Sequence, residues 1–323
     1  MRIVVTGALG HIGSRLVRDW TLAFPDSEVV MLDDLSTQRY CSLFDLPARG
    51  KYEFFESDVL KTDLVPIFKD ATAVIHLAAI TDAPSSFAKR DEVEQVNLRG
   101  TETVARACLE TGCALMFPST TSVYGSQAEV VDEDCPISDL NPQSPYADSK
   151  MRAEQLLQEL GKTEGLPFVI CRFGTIFGVS PGMRFHTAIN KFCWQAVMGQ
   201  PITVWRTALH QRRPYLDLGD AVNAMTFIVA RSVFDSRIYN VLTTNSTVAD
   251  IVALISNRIP DVSVKFVDTE IMNQLSYTVS NKRFSDLGFK FRGDLQSGID
   301  ETIDLLKRAR AGSMSAGDAM SAP

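Results

Sequence analysis

Tyr146 and Lys150 are the residues of this chain best suited to chemistry; they open a segment reading Pro145-Tyr146-Ala147-Asp148-Ser149-Lys150. The apolar positions Met151, Leu156, Leu157 and Leu160 predict a helix from here to about Leu160. On a helix, residues four apart lie one turn apart on the same side. An ammonium beside a phenol favours the phenolate and lowers its pKa. A tyrosine so placed can serve as a proton-transfer base near neutral pH. The same spacing also arises in plain surface contacts. A second feature is the hydroxyl run Ser119-Thr120-Thr121-Ser122, which follows the apolar strand Ala114–Phe117. Hydroxyls at a strand's carboxyl end can share protons with a ligand, or simply tie off a Ser/Thr turn.

Proton transfer of this kind needs an element that brings a reaction partner to the tyrosine, and the first thirteen residues predict one. Ile3, Val4 and Val5 form a short apolar strand, followed by Thr6-Gly7-Ala8-Leu9-Gly10-His11-Ile12-Gly13 and a helical pattern of Ile12, Leu16, Val17 and Trp20. Strand, glycine-rich turn and helix in that order make a dinucleotide site. Gly7 suits the tight turn, Gly10 lets a pyrophosphate approach the backbone, and Gly13 lets the helix pack closely on the sheet. The helix N-terminus then faces the phosphates with free N–H groups. A second apolar run, Val29–Leu32, ends in Asp33-Asp34, twenty residues after Gly13. A carboxylate there accepts both hydrogen bonds of an adenosine ribose diol and repels a 2′-phosphate. With no arginine directly after the aspartates, the expected cofactor is NAD rather than NADP. Leu35-Ser36-Thr37 then passes near the adenosine. A bound nicotinamide cation would push Tyr146 further towards phenolate.

The intervening elements fit the same plan. Tyr52–Glu56 reads as a third strand, followed by Asp58 and Val59. Asp58 could accept from the adenine amino group, with Val59 against the ring, or Asp58 could simply form a turn. Ala73–Leu77 is apolar apart from His76 and ends in Ala78-Ala79, small enough for a ligand to approach the backbone. Residues 91–111 carry Val93, Val96, Val104, Ala107 and Cys108 at helical spacing, with Asn97 among them. A polar residue on a buried face needs partners.

Composition narrows the classes. The chain has 323 residues, 45% hydrophobic and 22% charged, with a net charge of −7. That is ordinary for a globular α/β protein of one large or two smaller domains. No dense Lys/Arg block points to nucleic acid, and no apolar run approaches a membrane span. Six cysteines without metal-type spacing and an N-terminus that enters the first strand directly predict reduced thiols, no leader and a cytoplasmic location. Four isolated histidines suggest no metal site.

Taken together, the motifs resemble those of extended short-chain dehydrogenases/reductases of the nucleotide-sugar epimerase and dehydratase type, UDP-glucose 4-epimerase among them. The matching stretches are Thr6–Gly13, Asp33-Asp34-Leu35-Ser36, Asp58-Val59, His76-Leu77-Ala78-Ala79, Asn97 with Gly100-Thr101, Ser119–Gly125 and Tyr146 with Lys150. They continue with Arg172–Gly178, Arg212–Asp217, Leu287-Gly288-Phe289 and Gly298-Ile299, so the resemblance covers roughly residues 1 to 308. It implies a Rossmann-type doubly wound parallel sheet over 1–178, with returning segments near 212–242. A smaller, interleaved α/β substrate region would cover 179–310, and a disordered tail 311–323. It implies Tyr146 as base, Lys150 on the nicotinamide ribose, and Thr120 sharing a proton with the sugar hydroxyl. Leu77, Ala78, Ala79, Asn97 and Phe173 would join the cofactor set of Gly7, Gly10, His11, Ile12, Gly13, Asp33, Asp34, Ser36, Asp58 and Val59. Thr81, Thr121, Thr175 and Arg213 would meet the substrate, Arg213 gripping its diphosphate bidentately. The implied partners are a UDP-, GDP- or dTDP-linked sugar and a second copy of the chain, paired through the helices around 91–111 and 146–160. Burial of those apolar stripes inside one subunit would look the same in sequence.

Departures from the family pattern are informative. Sugar 4,6-dehydratases follow the threonine with an Asp-Glu pair that performs the elimination, and decarboxylases of the family carry a Glu at the second of these positions. This chain has Thr121 and Ser122 there. Neither hydroxyl readily serves as acid or base for expelling a 6-hydroxyl. The cysteine of the 3,5-epimerase branch is also missing from this stretch, and Thr175 replaces a substrate-contacting Asn. What remains is oxidation at a carbinol without built-in elimination: an NAD-dependent 4-epimerase of a nucleotide sugar, with a net dehydrogenase/reductase or a dehydratase as the alternative, and a non-catalytic nucleotide-binding protein as the rival of another class, against which the intact Tyr146 and Lys150 speak. Beyond Gly178 the regular alternation fades. Residues 185–199, 219–231, 247–258 and 294–309 read as helices, and Ile202–Trp205 and Ile238–Leu242 as strands. Arg206–Gln211 could shape the substrate pocket or form a variable loop.

Overall fold

The computed structural model describes residues 1–125, 130–268 and 276–308. Five parallel strands come first: β1 (Arg2–Thr6), β2 (Glu28–Asp33), β3 (Lys51–Glu56), β4 (Ala73–His76) and β5 (Ala114–Thr120). They are followed by β6 (Val130–Val131), β7 (Phe168–Phe173), β8 (Thr175–Phe177), β9 (Ile202–Trp205), β10 (Arg212–Asp217), β11 (Ile238–Val241), β12 (Thr244–Thr247), β13 (Val264–Val267) and β14 (Thr278–Val279). Seven of them form one sheet in the order β3-β2-β1-β4-β5-β7-β11, parallel throughout. The strand order reverses between β1 and β4, and a doubly wound sheet binds its ligand at the carboxyl ends flanking that reversal. Parallel strands buried on both faces read as continuous apolar runs, and Ile3, Val4, Val5, Val29 and Val30 are all fully buried. One core layer packs the helix His11–Ala23 and the helix Leu218–Ala230 on one face of the sheet; a second, with Val104, Ala107, Leu157 and Leu160, packs the other.

Local signals set the ends of the elements that carry the site. Ser144 caps the helix Pro145–Glu164 by accepting from the N–H of Ala147, and Gly165 ends it at φ 77°. The helix over 90–111 contains a widened π turn, Glu94–Arg99, with Asn97 inside it. Such turns often mark functional sites, and a count of apolar spacing does not reveal one. β5 runs to Thr120, so Ser119 and Thr120 belong to the strand itself and not to the turn after it. The helix expected over 185–199 spans only Ala188–Val197, because residues 181–187 form a turn and bends, with Gly182 pressed against the glycine turn.

Smaller sheets complete the fold: β12-β10-β8 and β13-β9 lie around a separate apolar cluster containing Phe177, Phe192, Tyr215 and Ile251, and β14-β6 packs in another with Tyr124, Leu242 and Tyr277. β11 returns to the main sheet beside β7. The tail expected to be disordered from 311 lies outside the described residues.

Candidate active site

The glycine turn is shaped by what surrounds it. Gly7 sits at φ 65°, and a Cβ there would lie 2.6 Å from the nitrogen of Ala78 and 2.7 Å from the carbonyl carbon of Leu77. The small residues after β4 are therefore close because they press on this turn. A Cβ on Gly13 would come within 2.6 Å of the carbonyl oxygens of Gly7 and Ala8. The turn's own backbone, rather than helix-on-sheet packing, thus demands glycine at 13, which corrects the expected reason. Gly10 caps the helix with no side-chain hydrogen bond, and the first turn holds no acidic residue. Its N–H groups form a cradle that suits a phosphate.

Asp33 ends β2 and holds the turn: its Oδ2 accepts from Leu9 N and its Oδ1 from Leu35 N, both at 3.0 Å. Burial raises its pKa, with the two backbone bonds opposing. Asp34 faces solvent, and its Oδ1 accepts from the N–H and Oγ of Ser36 at 3.0 and 2.7 Å. That pair closes on itself, so Asp33 is the carboxylate built into the cradle. Asp58 makes a turn, accepting from Leu60 N at 2.9 Å and pairing with Lys61 at 2.9 Å, while Val59 is buried beside it.

His11 and Ile12 start the helix. The His11 ring meets the carbonyl of Gly178 at 2.9 Å, and burial lowers its pKa to about 4, so the ring is neutral. The segment after Gly178 crosses the glycine turn. A Cβ on Gly182 would collide with the carbonyl oxygen of Leu9, and its N–H donates to Ser14 Oγ at 2.9 Å. From this segment Arg184 donates to the hydroxyl of Thr81. Its Nε, like Nη1 of Arg39, is buried without a hydrogen-bond partner. Burial, with Arg39 next in effect, lowers Arg184 to about 10. Two under-paired guanidiniums close to one another invite an anion.

The candidate reaction centre joins β5 to the Pro145–Glu164 helix. Thr120 is 7% exposed; its hydroxyl accepts from Ser122 N at 3.1 Å and stands close enough to the Tyr146 phenol to favour its ionised form. Lys150, 4% exposed, donates to Pro118 O at 2.9 Å and lies 4.4 Å over the Phe117 ring. The expected depression of the Tyr146 pKa is not found. Burial pushes it up to about 12, Thr120 is the main opposing group, and Lys150 donates its hydrogen bond to a carbonyl instead. Burial also lowers Lys150 to about 7, against Glu154. Asn97 acts on the backbone. It accepts from Ile80 N at 2.8 Å, and donates to Ile80 O at 2.9 Å and to Ser149 Oγ at 3.0 Å. It thereby fixes the loop bearing Ala79 and Thr81 against the helix that carries Tyr146 and Lys150.

Thr121 turns to the carbonyl of Phe173, at 3.2 Å. The Tyr277 phenol lies near the hydroxyls of Thr121 and Ser122, and Arg213 and Tyr146 are close enough to act on it electrostatically. Thr175 pairs with Tyr215 between β8 and β10. Arg213 donates to Gln211 at 3.2 Å and keeps a buried Nε without a hydrogen-bond partner. Sequence reading missed Tyr277, Arg184, Arg39 and Glu154. Only Glu154 carried a local signal, standing one further turn along from Tyr146 and Lys150.

Comparison with known proteins adds the lineage. Residues 3–241 match the NAD dependent epimerase/dehydratase family. The chain belongs to that family. Among its relatives, an Arabidopsis thaliana trifunctional UDP-glucose 4,6-dehydratase/UDP-4-keto-6-deoxy-D-glucose 3,5-epimerase/UDP-4-keto-L-rhamnose-reductase is 30% identical over 94% of this chain and 46% of its own length. The chain thus spans about half the length of the first curated relatives it matches. A mouse dTDP-D-glucose 4,6-dehydratase is 28% identical over 95% of this chain and 89% of the relative. The structure of Bacillus cereus UDP-glucuronic acid 4-epimerase, with UDP-glucuronic acid and NAD, superposes with a TM-score of 0.84 at 25% identity, covering 95% of this chain and 99% of the other. Thermus thermophilus UDP-glucose 4-epimerase with NAD gives 0.82 at 27% identity, covering 96% and 100%. NAD is the family's cofactor, and the uncapped helix, the glycines no side chain could replace and the Asp33 carboxylate fit it.

Proposed function

We propose that the chain is an NAD-dependent epimerase of a nucleotide-diphosphate sugar, acting at C4 through a transient 4-keto sugar. The observation that carries the reading is the Thr120–Tyr146 hydroxyl pair standing beside Thr121 and Ser122, where an eliminating enzyme needs carboxylates. NAD, when bound, would supply the reversible hydride acceptor that a C4 oxidation and re-reduction needs. Tyr146 takes the C4 hydroxyl proton and later gives it back. Thr120 bridges that hydroxyl to the phenol, and Lys150 supplies positive charge behind it. Arg213 is the proposed diphosphate grip. The relatives named as 4-epimerases support this reading, while those named as dehydratases keep net oxidation or elimination as the rival.

The cycle is redox neutral, so NMR of UDP-, GDP- and dTDP-linked sugars incubated without added NAD(H) tests it. A C4 epimer should appear. Strict consumption of one external NAD(H) per product would overturn it in favour of a dehydrogenase. One observation refines the substrate. Arg184, with its unpartnered Nε and its electrostatic reach to Tyr146, favours a sugar bearing negative charge, such as a C6 carboxylate. A UDP-uronate should then be a better substrate than its neutral parent.

For assembly, the homodimer rests on family resemblance alone. The stripe of Val93, Val104, Ala107 and Cys108 is buried within the subunit, and ion pairs such as Arg152–Glu94 and Arg106–Glu164 face outwards. Light scattering on the purified protein tests that dimer; a monomer mass rejects it.

A further inference from the structure

We infer that Glu154, anchored by Arg172, is a positioning residue: its carboxylate is the counter-ion that keeps Lys150 an ammonium inside the protein. The inference deepens the proposed reaction and rests on it for the need of a charged lysine. Glu154 follows Lys150 by one helical turn, and the two are 2% and 4% exposed. Arg172 grips the carboxylate with Nε at 3.1 and 3.2 Å and Nη2 at 2.7 Å, and Ser119 donates to it from β5. The preceding residue, Pro118, accepts from Lys150 Nζ at 2.9 Å. Two consecutive residues of β5 therefore hold the two side-chain ends, Pro118 the ammonium and Ser119 the carboxylate.

The other groups facing Lys150 supply no negative charge. From its own helix comes Tyr146, a neutral phenol. From β4 comes His76, fully enclosed between the hydroxyls of Thr6 and Thr101 and neutral, with burial lowering it to about 3. From β5 come Phe117 and Thr120, and from β7 comes Arg172, whose fork is engaged by Glu154. Arg184 approaches from beyond Tyr146. Among these groups Glu154 alone is an anion. Burial favours the neutral amine, and Glu154 opposes it. A lysine that lost its proton would neither polarise the phenol nor hold a ribose hydroxyl as a cation.

The test substitutes Glu154→Gln and, separately, Glu154→Leu with Arg172→Met. The single change leaves the Arg172 charge buried without its anion and endangers the fold, whereas apolar replacement of a whole buried pair is commonly tolerated. Two readouts apply: the titration of Lys150 followed by NMR of 13Cε-labelled lysine, with its resonance assigned by loss in Lys150→Met, and kcat/KM against pH. Without Glu154 the Lys150 midpoint and the alkaline limb of activity should both fall by about one pH unit or more, and activity at about pH 8 should drop roughly tenfold further than at about pH 6. Glu154→Asp should restore both. A Lys150 midpoint that stays put, with activity lost evenly across pH, would overturn the assignment and leave Glu154 a structural residue. The NMR midpoint needs no substrate, so it stands even if the sugar reaction is another one.

Discussion

At the scale of the residue, the phenolic oxygen of Tyr146 separates binding from chemistry. Tyr146→Phe removes the proton acceptor and leaves the ring in place, so kcat should fall by about 10²–10⁴-fold. NAD content of the purified protein, read by ultraviolet absorbance of an acid extract, should stay at the wild-type level. A variant that lost its NAD as well would show the ring to be structural. Burial holds Tyr146 near 12 against the opposing effect of the Thr120 hydroxyl. Thr120→Val should therefore shift the acid limb of kcat/KM to higher pH, since a phenol without that hydroxyl beside it ionises less readily. Thr120→Ser, which keeps the hydroxyl, should restore the limb. The Tyr146–Lys150 pair was legible because helix period alone brings i and i+4 together. Their electrostatics were not, because burial outweighs the neighbouring charge and only the folded chain reveals burial. Tyr277 was illegible for a different reason. It reaches Thr121 and Ser122 from more than 150 positions along the chain, with no local period to announce it.

At the scale of the element, the strand–turn–helix unit is the part most strictly specified. Gly7→Ala would put a Cβ 2.6 Å from backbone at Ala78 in a left-handed conformation, and such strain costs about 1–3 kcal/mol. The melting temperature and the retained NAD should fall together. Gly112→Ala provides the control: its φ is 73°, but nothing lies within 4 Å of the added Cβ. It should cost about 1 kcal/mol and leave NAD content unchanged. Equal loss of NAD in both variants would show that general instability, not the shape of the cradle, governs binding. This unit was readable because its strands are continuous apolar runs and its turn demands glycine. The small sheets were less so. β13 is largely exposed, with Val264 at 36% and Phe266 at 39%, and it pairs with β9 some sixty residues away. Half-exposed strands of two to four residues leave too short an alternation to read. The π turn at Glu94–Arg99 escaped for a similar reason, since one widened turn hardly disturbs a 3.6-residue pattern.

At the scale of the whole molecule, two buried histidines tie distant parts together and make stability depend on pH. His76 links β1 to the 90–111 helix through Thr6 and Thr101, and His11 links the glycine turn to the chain beyond β8 through Gly178. Burial lowers them to about 3 and about 4. In the unfolded chain both return to about 6.5, so below that pH the unfolded state binds more protons than the folded one. Stability is therefore complete above about pH 6.5 and falls as pH drops towards the folded values. Each histidine should remove about 1.4 kcal/mol per pH unit across that window, or about 2 kcal/mol by pH 5. Urea unfolding at about pH 7.5 and pH 5 measures the difference. In His76→Gln, which keeps a neutral hydrogen-bonding side chain, the acid loss should shrink by roughly 2 kcal/mol even if the starting stability is lower. A wild-type curve flat between those pH values would mean that His11 and His76 take up protons without unfolding. The ties from Gly178 to His11 and from Thr101 to His76 would then carry no share of the fold's resistance to acid.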